Sequence, residues 1–216
     1  MPSWVARGMA ALGLLALASA TNAAPVAYTG YSVLNDQAVE LKEDIIGLDQ
    51  WVGSGEIVLT GTSTPGGVLA VWCVDIYHWL QGSGSFVSSY VMTGLAANAV
   101  NALITNGTPL LDSGPDASSA LQIAIWKAVN GPELQVGPPG PNTALAEAYL
   151  DDVTRGIWRP DPRMEVMVLS GGGLNQDQAY LTPVPEPESL AVVGAGLLAL
   201  GAVMLRRRAG EVSRTS

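Results

Sequence analysis

The sequence predicts an α+β domain, a β-sandwich or barrel with a helical insertion, flanked by an N-terminal signal peptide and a C-terminal single transmembrane helix. Three observations predict it. Short runs rich in β-branched and aromatic residues, separated by glycine and proline, fill the part before residue 93. Alanine-rich segments with helical periodicity follow as far as residue 154, and one further strand-like run comes after them. Apolar residues make up 48% of the chain and charged residues only 13%. Soluble domains carry about a quarter charged residues, so apolar segments are concentrated somewhere, and they lie at the two ends. A length of 216 residues holds one domain with attachments.

The N-terminus fits a secretory signal over residues 1–24. Arg7 precedes an apolar run from Met9 to Ala18, and small residues follow from Ser19 to Ala24. Cleavage after Ala20, Ala23 or Ala24 suits the small-residue rule equally. The apolar run is shorter than the roughly 20 residues that a bilayer span needs.

The domain is expected over residues 25–182. Val26–Leu34, Glu56–Thr62, Val68–Tyr77 and Phe86–Met92 read as strands, the third after the turn Thr64-Pro65-Gly66-Gly67. Thr93 is placed to cap a helix carrying Leu95, Ala99, Val100, Leu103 and Ile104, with Asn106-Gly107 as its stop. A second helix has Asp116 as cap, Leu121–Val129 in its body and Gly131 as its end. Gly137–Pro141 is a stiff connector, a third helix is expected over Thr143–Thr154, and Arg163–Ser170 closes the domain as a strand. Strands, then helices, then a strand give the helical insertion.

At the C-terminus, residues 183–210, Val184-Pro185-Glu186-Pro187 precedes an apolar segment from Ser189 to Leu205 and the cluster Arg206-Arg207-Arg208. The segment is about 17 residues long, the lower limit for a membrane span, and the arginines are expected on the cytoplasmic side. These three elements, in this order, resemble the PEP-CTERM sorting signal. The resemblance implies an inner-membrane intermediate, cutting by an exosortase near Pro185–Pro187, and delivery to the cell surface or an extracellular polysaccharide matrix.

Composition excludes several function classes. A net charge of −9 argues against a nucleic-acid partner. One cysteine and one histidine leave neither an internal disulfide nor a Cys- or His-based metal cage, and no metal or other cofactor is expected. The basic residues of the central domain, Lys42, Lys127, Arg155, Arg159 and Arg163, are far outnumbered by scattered acids that form no calcium loop. Gly171-Gly172-Gly173 lacks the lysine of a phosphate loop and reads as a turn, and Asn106-Gly107-Thr108 reads as a helix stop before it reads as a glycosylation sequon.

Chemistry is left to Cys73, in Val71-Trp72-Cys73-Val74-Asp75-Ile76-Tyr77-His78, and Gln122, in Ala120-Leu121-Gln122-Ile123-Ala124-Ile125-Trp126. The two stretches resemble the Cys–Gln thioester domains of bacterial surface adhesins, in which a strand cysteine beside an aromatic residue joins the glutamine of a helical Thr-Gln-x-Ala-x-Trp motif. Gln122, Ala124 and Trp126 match that motif in register, and Leu121 stands where the family has threonine. The resemblance implies a thioester between Cys73 and Gln122 that captures an amine, such as a target lysine. This is single-use covalent adhesion and not enzymatic turnover. Trp126, four residues after Gln122, shares its helix face and is placed to shield the bond from water.

Two other readings fit the same residues. A lone cysteine is often an inert core residue, which makes the chain a structural matrix protein without a reactive bond. A cysteine hydrolase needs His78 as base to Cys73, but strand alternation over 71–78 turns them to opposite faces.

Overall fold

The computed structural model describes residues 25–43, 48–184 and 196. The signal peptide expected over 1–24 lies outside the described residues. So do Pro185, Glu186, Pro187, the transmembrane segment after them and Arg206–Arg208. Among the described residues no helix is long and apolar enough to cross a membrane.

The chain order is β1 (Ala27–Tyr28), β2 (Gly30–Glu43), β3 (Leu48–Thr60), β4 (Val68–Cys73), β5 (Gly84–Ser85), β6 (Ser88–Val91), α1 (Gly94–Gly107), α2 (Pro115–Asn130), β7 (Gln135–Gly137), α3 (Pro141–Thr154), β8 (Met164–Ser170) and β9 (Gln178–Pro183). A short 3-10 helix, Thr108–Ser113, joins α1 to α2. The fold is α+β, with the helices inserted between strands. Seven strands form one antiparallel sheet in the order β6-β8-β9-β4-β3-β2-β7, and β1 pairs only with β5. Among the described residues the sheet does not close into a barrel, since β6 and β7 stand at the two ends of that order, and no second large sheet faces it. Instead α2 packs on β2, β3 and β4, α1 packs on β8 and β9, and α3 packs on α1 and α2.

The long β2–β3 hairpin was only half legible as strands. Each strand is interrupted midway: Leu34 pairs with Glu56 and Gln37 with Ser54, so Asn35 and Asp36 face the single residue Gly55. This is a β-bulge, which bends a strand and sharpens its twist. Asn35 adopts φ 52°, the left-handed region that asparagine tolerates. A Cβ on Gly55 would lie 2.6 Å from the Leu34 carbonyl oxygen, so the bulge requires glycine there.

Other boundaries moved for local reasons. The strand expected over Val68–Tyr77 stops at Cys73, because Asp75 Oδ1 accepts the Tyr77 N–H at 2.8 Å and turns the chain. Helix α2 is capped at Gly114, with Pro115 in its first turn. Asp116 is therefore not the cap but an acid of that turn, favourable to the helix dipole and bonded to Gln37. Gly131 ends α2 at φ 87°, as its sequence position implies. Strand β8 does not close the domain. The Gly171–Gly173 turn leads back into β9, which lies between β8 and β4.

Candidate functional site

Cys73 is the last residue of β4, and Gln122 is in the second turn of α2. Strand β4 pairs with β3 only as far as Val71, opposite Ile57, while Trp72 and Cys73 pair with β9 on the other side. Where the β3 ladder stops, the Gln122 carboxamide takes its place. The Cys73 N–H donates to Gln122 Oε1 at 3.0 Å, and Gln122 Nε2 donates to the Cys73 carbonyl at 2.8 Å. The fold thus brings together two residues 49 positions apart, both fully buried. Helix α2 fills the same seam one turn earlier. The Ser118 hydroxyl accepts the Glu56 N–H and donates to the Leu34 carbonyl at the bulge, and Ser119 meets Ser54.

The Cys73 thiol donates to the Asp75 carbonyl at 3.1 Å. Burial pushes this thiol up to about 12. The Trp126 indole, the Asp75 backbone contact and the nearby Asp75 and Asp177 carboxylates are smaller influences. Trp126 is 2% exposed, and its indole N–H lies beside the sulfur, outside strict hydrogen-bond geometry and with no other partner. A cavity of about 110 Å³ reaches this point. Tyr31, Val33 and Ile57 come to it from one half of the bent hairpin and Leu41, Gln50 and Val52 from the other, and the buried Cys73 and Trp126 also line it.

His78 lines that same cavity. Alternation along a strand ending at residue 77 or 78 would turn it away from Cys73, but the turn at Asp75 ends the strand first. The His78 ring is held by Asp75, Nδ1 to Oδ2 at 2.6 Å, and its side chain is 42% exposed. Sequence reasoning assigned Asp75 no role. The available signal was its position, an aspartate two residues past a strand cysteine and three before the histidine, a spacing typical of side-chain-closed turns. The seam serines Ser54, Ser118 and Ser119 carried no comparable signal. Of the residues expected to form a sorting motif, Val184 is described, and its N–H donates to the Arg163 carbonyl at 2.8 Å just after β9.

Chemically, the pair presents the two groups that a thioester would need, a thiol and a carboxamide, and its closure would run as follows. The thiol adds to the Gln122 carbonyl carbon, the C–N bond breaks, and the thiol proton leaves with the amide nitrogen as ammonia. The Cys73 N–H already donates to the oxygen on which negative charge develops during both closing and opening of such a bond.

No family model matches the chain, and no solved structure matches it. The cytochrome c subunit of 4-cresol dehydrogenase [hydroxylating] from Pseudomonas putida is 28% identical over 105 residues, which is 49% of this chain and 92% of that protein. Attachment of a c-type haem uses C-x-x-C-H. Here the only cysteine is the buried Cys73, and the only histidine is paired with Asp75, so these residues do not fit such a group.

Proposed function

We propose that this is an exported cell-surface or exopolysaccharide-associated protein, processed by an exosortase at Val184-Pro185-Glu186-Pro187, whose domain is a covalent adhesin with a Cys73–Gln122 thioester. The observation that carries the reading is the reciprocal contact of the Gln122 carboxamide with Cys73. It holds the amide against the cysteine it would acylate, in a buried place beside a cavity. Trp126 shields that place from water. The partners are an amine on a neighbouring protein or surface and the extracellular polysaccharide, after passage through the inner membrane on an anchoring helix that ends at Arg206–Arg208.

Intact-mass measurement of the secreted protein tests this. The expected mass is one ammonia below that of the mature sequence, and Cys73→Ala and Gln122→Ala each return to full mass for their own sequences. Incubation with methylamine should add one methylamine to the native protein and release a titratable thiol. Full mass with a free thiol overturns the thioester.

A structural matrix protein is the second reading, and the same contact favours it in one respect. A carboxamide that completes a strand ladder has a structural reason to be buried there. A hydrolase is disfavoured by the state of the thiol, which burial pushes up to about 12 where an activated nucleophile needs a lowered value.

A further inference from the structure

Opening a thioester with an amine leaves protons to be moved. The attacking nitrogen must lose one as the new C–N bond forms, and the departing sulfur must gain one. Cys73 sits where a bare thiolate is poorly tolerated, since burial holds the thiol in its protonated form. A group able to take the first proton and supply the second, placed between solvent and sulfur, would answer both needs.

We propose that His78, oriented by Asp75, is the proton carrier of amine capture at the Cys73–Gln122 site. The inference rests on the thioester reading. His78 lines the cavity that the buried Cys73 and Trp126 also line, and the neighbouring Trp79 and Tyr31 are exposed at 58% and 40%. The ring is therefore at the solvent side of the cavity and the sulfur at its buried end. Asp75 engages Nδ1, which leaves Nε2 for the reacting groups. The same aspartate closes the turn through its other carboxylate oxygen and accepts the thiol through its carbonyl, so one residue fixes sulfur and imidazole together.

The step balances without a further reactant. The neutral amine attacks the Gln122 acyl carbon, Nε2 accepts one N–H proton, the C–S bond breaks with its electrons on sulfur, and the imidazolium returns the proton to give the thiol. A primary amine and a thioester become a secondary amide and Cys73–SH. In this scheme the Trp126 N–H steadies the charge passing through sulfur.

The test uses the full secreted protein, its intact mass, and the rate of methylamine incorporation. His78→Gln is expected to retain the ammonia-deficient mass while capture slows by at least about a hundredfold, the usual scale of general acid–base assistance. His78→Ala should recover part of the rate in added imidazole.

Unchanged rates in His78→Gln with the ammonia-deficient mass intact overturn the proton carrier and leave the thioester standing. Full mass in His78→Gln alone assigns the residue to closing the bond and likewise overturns the proposal. Full mass in the wild-type protein overturns the thioester and the proton carrier together.

Discussion

Gln122 shows how one side chain completes the fold at the place where the proposed thioester would form. Continuing the β3–β4 register beyond Ile57–Val71 would set Cys73 opposite Gly55, but the bulge carries β3 away and the last rung is missing. A buried peptide group without partners is costly, and the carboxamide, with one donor and one acceptor in the geometry of a peptide, satisfies both. In a Cys73→Ala background, where no thioester closes and the carboxamide stays whole, Gln122→Ala leaves the N–H and C=O of residue 73 unpaired in the core. Urea denaturation should show a loss of about 2–4 kcal/mol, the penalty for two buried orphan groups, and Gln122→Glu should fail to restore it because a carboxylate cannot donate to the Cys73 carbonyl. The resemblance to thioester domains singled out Cys73 and Gln122, and the structure sets the Gln122 carboxamide in hydrogen-bond contact with the Cys73 backbone. The placement of His78 was not, because it depends on Asp75 ending a strand that the apolar run Val68–Tyr77 otherwise extends.

At the scale of elements, the site depends on α2 being inserted into a flaw in the sheet. Residues 117–126 of α2 are all buried, and its polar members Ser118, Ser119 and Gln122 line up along the bulged hairpin and the end of β4. Sequence periodicity found α2 from its alanines and Gly131, but a helix covered on all sides has no polar face to report which way it points. The bulge hid the hairpin for a related reason: Asn35-Asp36 and Gly53-Ser54-Gly55 look like turns and are instead a bend in mid-strand. Glu56, beside this bend, has its carboxyl raised above the ordinary value by burial. A raised folded value means the native state binds the proton more tightly than the unfolded chain. Glu56 therefore costs stability increasingly as pH rises from the usual carboxylate range through its folded value, and the cost persists above it. Glu56→Gln should raise Tm at neutral pH and leave it unchanged in acid, as read by thermal melts across pH.

The turn between β8 and β9 makes a second test of element geometry. A Cβ on Gly171 would lie 1.9 Å from the Asn175 carbonyl oxygen, a backbone atom that cannot step aside cheaply. Asn175 also donates to the Tyr28 hydroxyl and accepts the Gln81 N–H, so this turn ties β1 and the loop after His78 to the main sheet. Gly171→Ala should lower stability by at least about 1–3 kcal/mol, the usual cost of overpacking, with the change visible in denaturant midpoint.

For the whole molecule, the question is whether the proposed cut at the C-terminus would leave the site intact. Strand β9 is an interior strand, hydrogen-bonded to β8 along its length and to the Trp72–Cys73 end of β4. Gln178 and Ala179 are fully buried beside the candidate site. The last described contact of the sheet is the Val184 N–H to the Arg163 carbonyl, and Pro185 follows at once. The alternation that revealed β8 gave no hint of β9, whose Gln178-Ala179-Tyr180 start reads as polar and small, yet β9 fixes the register of the strand that carries the cysteine. Cutting within Pro185–Pro187 removes nothing that the described core uses, whereas a cut only a few residues earlier opens β4 on one side. Chains ending at Pro187 should match the Tm of the full-length protein and show the one-ammonia deficit that the proposed thioester entails. Chains ending at Asp177 should lose cooperative unfolding and carry a free, reactive thiol, because β4 without β9 cannot hold Cys73 against the Gln122 carboxamide. Circular dichroism melts with intact-mass spectrometry on the two truncations read both outcomes, and loss of the fold in the Pro187 chain would place the end of the working domain beyond the sorting motif.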